Sequence, residues 1–173
     1  MPPVGSASTR LIVLRGDSGS GKTTTAAALR PLLGDKTALI HQDHFRRELL
    51  AGSDKLSRSA DAAALIDTAG RQALDLGYDV ILDGIFNLRD YAELLEKLWH
   101  DHVGITRVYQ FDVGFDETVR RHGTRELRHA FTPEDMRRWH DGWQPLTFIE
   151  ESRIGPEETL PQIVERIVAD LNS

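Results

Sequence analysis

The sequence contains no cysteine, which excludes disulfide bonds and thiolate metal sites. It also lacks any apolar run near the ~18 residues of a membrane-spanning helix, so we expect no membrane partner. Basic residues are in the minority, and the net charge of −6 disfavours general nucleic-acid binding. The first residues lack the basic and apolar regions of an export signal. Together these absences predict a cytoplasmic protein.

The 173 residues suit a single domain in which strands and helices alternate. Apolar segments predict strands over residues 10–15, 37–41, 79–83, 106–111 and, more weakly, 146–149. Helical spacing predicts helices over residues 60–76, 90–99 and 157–171. This alternation predicts an α/β fold, a five-stranded parallel sheet with helices on both faces. We expect a flexible tail over residues 1–9 and a mobile loop over residues 51–59.

Residues 16–23 read Gly-Asp-Ser-Gly-Ser-Gly-Lys-Thr directly after the first apolar segment, which is the G-x-x-x-x-G-K-S/T pattern of a phosphate-binding loop. Glycines let successive N–H groups surround a phosphate, and the next helix points its positive end at it. We expect Lys22 to reach the β and γ phosphates of ATP and the Thr23 hydroxyl to bind Mg²⁺. The predicted nucleotide-binding residues of this P-loop NTPase are Gly16, Asp17, Ser18, Gly19, Ser20, Gly21, Lys22, Thr23 and Thr24.

Asp43 lies two residues beyond the second predicted strand, at the edge of the sheet where parallel sheets bind ligands. Its carboxylate could accept a proton from an attacking hydroxyl. The alternative is a helix N-cap, since Asp is a preferred cap. Arg46 and Arg47 follow within a turn, and they either bind a polar or anionic substrate or lie on a solvated helix face.

Asp83 ends the third predicted strand and is a candidate acid of the Walker B type, which holds Mg²⁺ through a water molecule. The alternative is a simple Asp-Gly turn with Gly84. Asn87 follows closely and could contact the phosphoryl acceptor. These residues extend the predicted site from the nucleotide toward the acceptor.

Residues 120–141 concentrate positive charge in an otherwise acidic chain and include a second helix from Pro133. Guanidinium groups there could cover the triphosphate as a small lid. A solvated amphipathic helix, paired with neighbouring acids, is the alternative. We expect His100, His102, His122 and His129 to lie on the surface.

With these motifs the chain resembles the small P-loop kinases, above all the branch with chloramphenicol phosphotransferase-like enzymes, polynucleotide kinase domains and zeta-type toxins. The resemblance implies that Asp43 is the general base, that Arg46 binds substrate and that Arg125 is the lid arginine. It also implies that Arg121 lies near the nucleotide and that adenine is read near residues 152–155. The Asp-Gly-x-Pro-Arg pattern of adenylate-type kinases is missing, which argues against a nucleoside monophosphate acceptor.

The leading hypothesis is an ATP-dependent kinase that phosphorylates a hydroxyl of a small molecule, such as an antibiotic, a nucleoside or a sugar derivative. Lys22, Asp43 and Arg125 would be its catalytic residues, and Arg46, Arg47 and Asn87 would bind the acceptor. Two alternatives stay open: a kinase of polynucleotide 5′-hydroxyl ends, and a nucleotide-binding regulatory ATPase.

Overall fold

The computed structural model describes residues 2–50, 59–123 and 132–173. The elements in chain order are β1 (Arg10–Gly16), α1 (Lys22–Leu33), β2 (Thr37–His41), a π-helical segment (His44–Leu49), α2 (Ser59–Asp75), β3 (Asp79–Gly84), α3 (Leu88–Asp101), β4 (Ile105–Phe111), α4 (Phe115–Gly123), α5 (Pro133–Trp139), β5 (Ser152–Ile154) and α6 (Leu160–Leu171). Residues 51–58 of the predicted mobile loop lie outside the described residues, and α2 begins at Ser59.

The five strands form one parallel sheet in the order β2-β3-β1-β4-β5, which confirms the predicted α/β fold. The predicted fifth strand is wrong. Residues 146–149 are not a strand, and Ser152–Ile154 pairs with β4 instead. Leu146 is buried, and Phe148 and Ile149 pack against the core, so their apolar pattern reflects side-chain burial rather than strand pairing. The adenine-reading range at residues 152–155 is therefore mostly strand, and the loop after it begins at Gly155.

Alternating side chains of β1 build two separate cores, as the period of a strand requires. Leu11 and Val13 belong to the core that includes residues of α2 and α3. Ile12 and Leu14 belong to the core that includes residues of α1 and α6. The sheet is thus covered on both faces, and ligands of such sheets bind at the carboxyl ends of the strands. Within the three described ranges, no helix is both long and apolar enough to cross a membrane.

The beginning of the chain, where the sequence predicts a flexible tail over residues 1–9, packs against the rest from Val4 onward. Val4 is buried and bridges to His102, at the end of α3. The Gly5 backbone N–H donates to Asp75 Oδ1 over 2.8 Å. The beginning of the chain packs there because the apolar Val4 side chain is buried in the core on one face of the sheet.

His102 is buried, whereas the sequence predicts it on the surface; His100 is exposed as predicted. The two ring nitrogens of His102 lie 3.0 Å from Thr9 Oγ1 and 2.8 Å from Thr106 Oγ1. Burial lowers the pKa of this imidazole. Two hydroxyl partners compensate a neutral ring for its lost hydration, which explains how the histidine is accommodated.

Candidate functional site

The phosphate-binding loop runs from the end of β1 to the start of α1, and glycine is required where it turns. Gly16 has φ +140°, and a Cβ there would lie 2.5 Å from the Phe111 carbonyl oxygen of β4. Gly21, which precedes α1, has φ +107°. Other residues rarely adopt these angles, so the path of the loop depends on both glycines.

Lys22 lies within the loop rather than in solvent. Its side chain is buried, and Nζ donates to the Asp17 carbonyl over 2.7 Å and to Ser20 Oγ over 3.2 Å. An ammonium group held by loop oxygens is close to the backbone N–H groups predicted to bind phosphate. Of the other predicted loop residues, Ser18 is half-buried and Thr24 is exposed. Their contacts with a nucleotide stay predictions.

Three side chains from three elements meet at the end of β3. Thr23 Oγ1 donates to Asp83 Oδ2 over 2.8 Å, and His41 Nδ1 lies 2.7 Å from the same oxygen. The register of the sheet pairs His41 directly with Asp83. The two residues predicted to serve Mg²⁺ thus lie together. His41 was not among the predicted residues, although its place at the end of β2 is a signal that could have found it.

The Asp83 carboxylate fits the magnesium ion that this type of loop implies. Asp83 is 4% exposed, and its Oδ1 has no hydrogen-bond partner among the residues that the structure describes. A buried carboxylate oxygen without a partner is unfavourable unless a cation or a water molecule supplies one. The donor set of a hydroxyl and a carboxylate is the oxygen chemistry that Mg²⁺ prefers.

Asp43 and Arg47 lie on the exposed side of the same sheet edge. Asp43 Oδ1 is 3.6 Å from Arg47 Nε, and the two side chains are 65% and 49% exposed. Asp43 has helical backbone angles and makes no capping hydrogen bond with a described residue, so the N-cap alternative finds no support. Arg46 is half-buried beside them. π-Helical turns of this kind are frequent at functional sites.

Asn87 follows a strained residue, Phe86, which is fully buried with φ +43°. The Phe86 carbonyl accepts a hydrogen bond of 3.2 Å from Arg15 Nε, which stabilises this conformation. Asn87 Oδ1 accepts from the Asp90 N–H over 2.9 Å and so caps α3. The Asn87 side chain is partly used by the helix, and its contact with an acceptor stays a prediction.

A buried ion pair below the site was not predicted. Arg15 Nη1 lies 2.8 Å from Glu151 Oε1, and the two side chains are 2% and 1% exposed. The same nitrogen donates to Gln110 Oε1 and to the Gln144 carbonyl. Such a pair is stable when its remaining groups are also bonded, and it attaches the segment before β5 to β1. A single arginine between an apolar strand and the glycine loop is the sequence signal for it.

Arg121 contacts the phosphate-binding loop from α4. Its Nη1 donates to the Ser20 carbonyl over 2.9 Å, and its Nε donates to Glu117 Oε1 over 2.6 Å. Hydrogen bonds from Arg120 and Arg121 lower the pKa of Glu117 to about 2. Arg121 is thus held at the loop, and its place near a bound nucleotide stays a prediction. Arg125, the predicted lid arginine, lies outside the described residues.

The predicted segment 120–141 otherwise includes the end of α4 and all of α5, which begins at Pro133 as expected. A capping box at Thr132 starts α5. The Arg137 guanidinium lies 4.2 Å from the centre of the Phe115 ring. This contact joins α5 to the start of α4.

Strand β1, the glycine loop with Lys22, and a strand-end carboxylate on the neighbouring β3 together define a P-loop nucleotide-binding protein. The chain belongs to the AAA_33 family, described as an AAA domain, whose model matches residues 11–145. Its fold is that of solved kinase structures, in agreement with the resemblance to small P-loop kinases.

Solved structures of kinases share this fold over most of the chain. The APS kinase CysC of Mycobacterium tuberculosis, in complex with AMPPNP and APS, has 18% identity and a TM-score of 0.75 over 99% of this chain and 100% of its own. A gluconokinase of Sinorhizobium meliloti 1021 has 19% identity and a TM-score of 0.67 over 99% and 94%. The Pnkp1/Rnl/Hen1 complex matches with 20% identity and a TM-score of 0.56 over 87% of this chain and 47% of that one. No curated protein matches the sequence.

Proposed function

We propose that this protein transfers the γ-phosphoryl group of ATP to a hydroxyl of a small molecule, such as an antibiotic, a nucleoside or a sugar derivative. The observation that carries the proposal is the Thr23–Asp83 hydrogen bond of 2.8 Å beside the Lys22 loop. Asp43 lies at the same sheet edge, two residues beyond His41. The APS kinase neighbour was solved with a nucleotide analogue and an acceptor together, which supports a site with two halves.

Phosphoryl transfer requires positioning and charge stabilisation more than covalent chemistry from the protein. In our proposal the loop N–H groups and Lys22 bind the β and γ phosphates. The acceptor oxygen forms a bond to the γ phosphorus, the bond to the β–γ bridging oxygen breaks, and ADP leaves. The proton of the acceptor hydroxyl goes to a carboxylate oxygen of Asp43.

The exposure of Asp43 suits this role. A general base must reach the proton of an incoming molecule, and 65% of this side chain is accessible. Its contact with Arg47 is long, at 3.6 Å, so an acceptor can replace it without breaking a short ion pair. Arg46, Arg47 and Asn87 are proposed to bind the acceptor.

Thr23 and, through a water molecule, Asp83 are proposed to hold Mg²⁺, which when bound neutralises charge on the phosphates. Arg121 is proposed to lie near the nucleotide, and its hydrogen bond to the Ser20 carbonyl of the loop supports this. Arg125 is proposed to cover the transferring group. The absence of cysteine agrees with a cytoplasmic location, which we also propose.

A kinase of polynucleotide 5′ ends is the second candidate, favoured by the exposed Arg47 beside Arg46 and by the match to the Pnkp1/Rnl/Hen1 complex. It predicts that labelled phosphate is transferred to oligonucleotides and that their binding falls steeply with added salt. A flat salt response, or no transfer, would reject it.

The deciding experiment measures ADP release from ATP and Mg²⁺ in the presence of a panel of hydroxyl compounds, followed by the mass of the product. A product heavier by one phosphoryl group names both the acceptor and the reaction. The Lys22→Ala variant is the control for contaminating kinases. Slow ADP release that no acceptor accelerates would instead favour the regulatory ATPase.

A further inference from the structure

Asp17, the second residue of the phosphate-binding loop, directs its carboxylate to a distant turn. Its Oδ1 accepts from the Asp141 N–H over 2.8 Å, and its Oδ2 accepts from the Gly142 N–H over 3.0 Å. His140 Nδ1 also lies 3.0 Å from Oδ2, without hydrogen-bond geometry. One side chain of the loop therefore contacts three consecutive residues that are more than 120 positions away.

An acid at this position calls for a physical explanation. The loop pattern demands no particular residue there, and a negative charge beside a phosphate site opposes the binding of anions. The Asp17 side chain is 10% exposed, so its charge is also largely removed from water. Two backbone N–H groups satisfy that charge, as at a helix N-cap. The hydrogen bonds between Asp17 and the turn therefore explain why an acid occupies this position.

The turn lies next to the part of the site where we propose that the acceptor binds. Gly16, Asp17, Asn87, Asp141 and Gly142 line one cavity of about 10 Å³, which has room for a single water molecule. Burial, and then the nearby Asp17 charge, raise the pKa of Asp141. The turn thus joins the nucleotide loop to the region of Asn87, where we propose that the acceptor binds.

Helix α4 also holds the loop. Arg121 donates to the Ser20 carbonyl, and a Cβ on Gly19 would meet the Thr118 carbonyl at 2.9 Å. Movement of the loop is therefore resisted by α4 as well as by the turn. Asp17 supplies the polar bonds of the second contact.

We propose that Asp17 is a positioning residue, which fastens the turn His140–Gly142 to the nucleotide loop and so places Asp141 for acceptor binding. This inference rests on the proposed function. It differs from the prediction that Asp17 serves the nucleotide itself, because it assigns the side chain to the acceptor half of the site.

The first test is amide hydrogen exchange of the whole chain with AMPPNP and Mg²⁺, for the wild type, Asp17→Ala and Asp17→Asn. Loss of a hydrogen bond to a charged group should speed exchange at Asp141 and Gly142 by about tenfold or more in Asp17→Ala. Asp17→Asn keeps one acceptor oxygen and should give an intermediate rate. This readout does not depend on turnover, so it can fail or succeed independently of the proposed function.

The second test uses the acceptor identified by product mass. Asp17→Ala should raise the KM for the acceptor by about fivefold or more and leave the KM for ATP within about twofold. Asp75→Ala is the matched control, because the Asp75 carboxylate also accepts a backbone N–H, from Gly5, away from the loop. It should speed exchange at Gly5 alone and change neither KM. Unchanged exchange at residues 141 and 142, or a raised KM for ATP alone, would overturn the proposal.

Discussion

The two halves of the proposed site differ in how firmly the fold holds their side chains. In the nucleotide half, Lys22 and Asp83 are 7% and 4% exposed, and both have short hydrogen bonds. In the acceptor half, Asp43 and Arg47 are 65% and 49% exposed and share one contact of 3.6 Å. The nucleotide half is therefore organised before any ligand binds, whereas the acceptor half has room to adapt.

The difference follows from where each half lies. The nucleotide residues lie in the loop that follows the central strand β1 and at the end of the central strand β3, and each of these strands has two neighbours in the sheet. Of the proposed acceptor residues, Asp43, Arg46 and Arg47 follow β2, the edge strand, at or just before the short π-helical segment, whereas Asn87 follows β3. A rigid site on central strands suits the binding of one nucleotide. Segments at the edge of the sheet tolerate changes of sequence, so they suit the recognition of different acceptors.

Among variants that test the difference between the two halves, replacement of Lys22 should have the largest effect on turnover. Lys22→Ala should lower turnover by about 100- to 1,000-fold, because a charge that stabilises the transferring group is lost from a buried position. Steady-state kinetics would measure this. Lys36→Ala, which removes an exposed lysine, is the control and should leave turnover unchanged. Similar activity in both variants would refute the role of the loop.

The acceptor half is tested by Asp43→Asn, which should lower turnover by about 100-fold and leave the KM for ATP nearly unchanged. The amide keeps the shape of the carboxylate and removes its capacity as a base. Glu48→Gln is the matched control, since Glu48 is also exposed and lies 2.9 Å from a basic partner, His44, on the same segment. If both variants turn over like the wild type, Asp43 has no part in the reaction.

Asp83 separates the two halves of the site, because its replacement should weaken the binding of Mg²⁺ and not that of the acceptor. Asp83→Asn should raise the Mg²⁺ concentration needed for half of the AMPPNP-induced shift in Tm by about 10- to 100-fold. The shift is measured by thermal unfolding and needs no acceptor. Asp35→Asn, which changes an exposed carboxylate, should behave as the wild type. An unchanged Mg²⁺ requirement in Asp83→Asn would remove Asp83 from the metal site.

His102 tests whether a buried polar residue outside the proposed site affects stability without affecting turnover. Its folded pKa is lowered from 6.5 by burial, so the unfolded chain takes up the proton first as pH falls. The free energy of unfolding should therefore fall as pH decreases below about 6.5, and His102→Gln should lack this loss. Urea unfolding at a series of pH values measures this change in the free energy of unfolding. Turnover of His102→Gln at neutral pH should equal that of the wild type. A lower turnover would show that a buried polar residue outside both halves of the site also affects the reaction.

Local pattern was sufficient for most of the fold and for the positions of the glycine loop and Asp83, whose roles in nucleotide and metal binding stay predictions. The four longer strands have apolar runs that end in polar residues, and the glycine loop carries its own chemistry in eight consecutive positions. The fifth strand has three residues, Ser152–Ile154, and no distinctive pattern. The stronger apolar signal at residues 146–149 belongs to side chains that fill the core.

The sequence by itself determined the class of the fold, the loop, the acid that follows β2 and the acid at the end of β3, because these depend on residue type and spacing along one segment. Only the tertiary structure decided that His41 contacts Asp83, that Arg15 pairs with Glu151, and that Asp17 reaches Asp141 and Gly142. Each of these contacts joins residues 42 to 136 positions apart. Such pairs are set by the register of the sheet and by the packing of connections across its edge, neither of which leaves a local pattern in the chain.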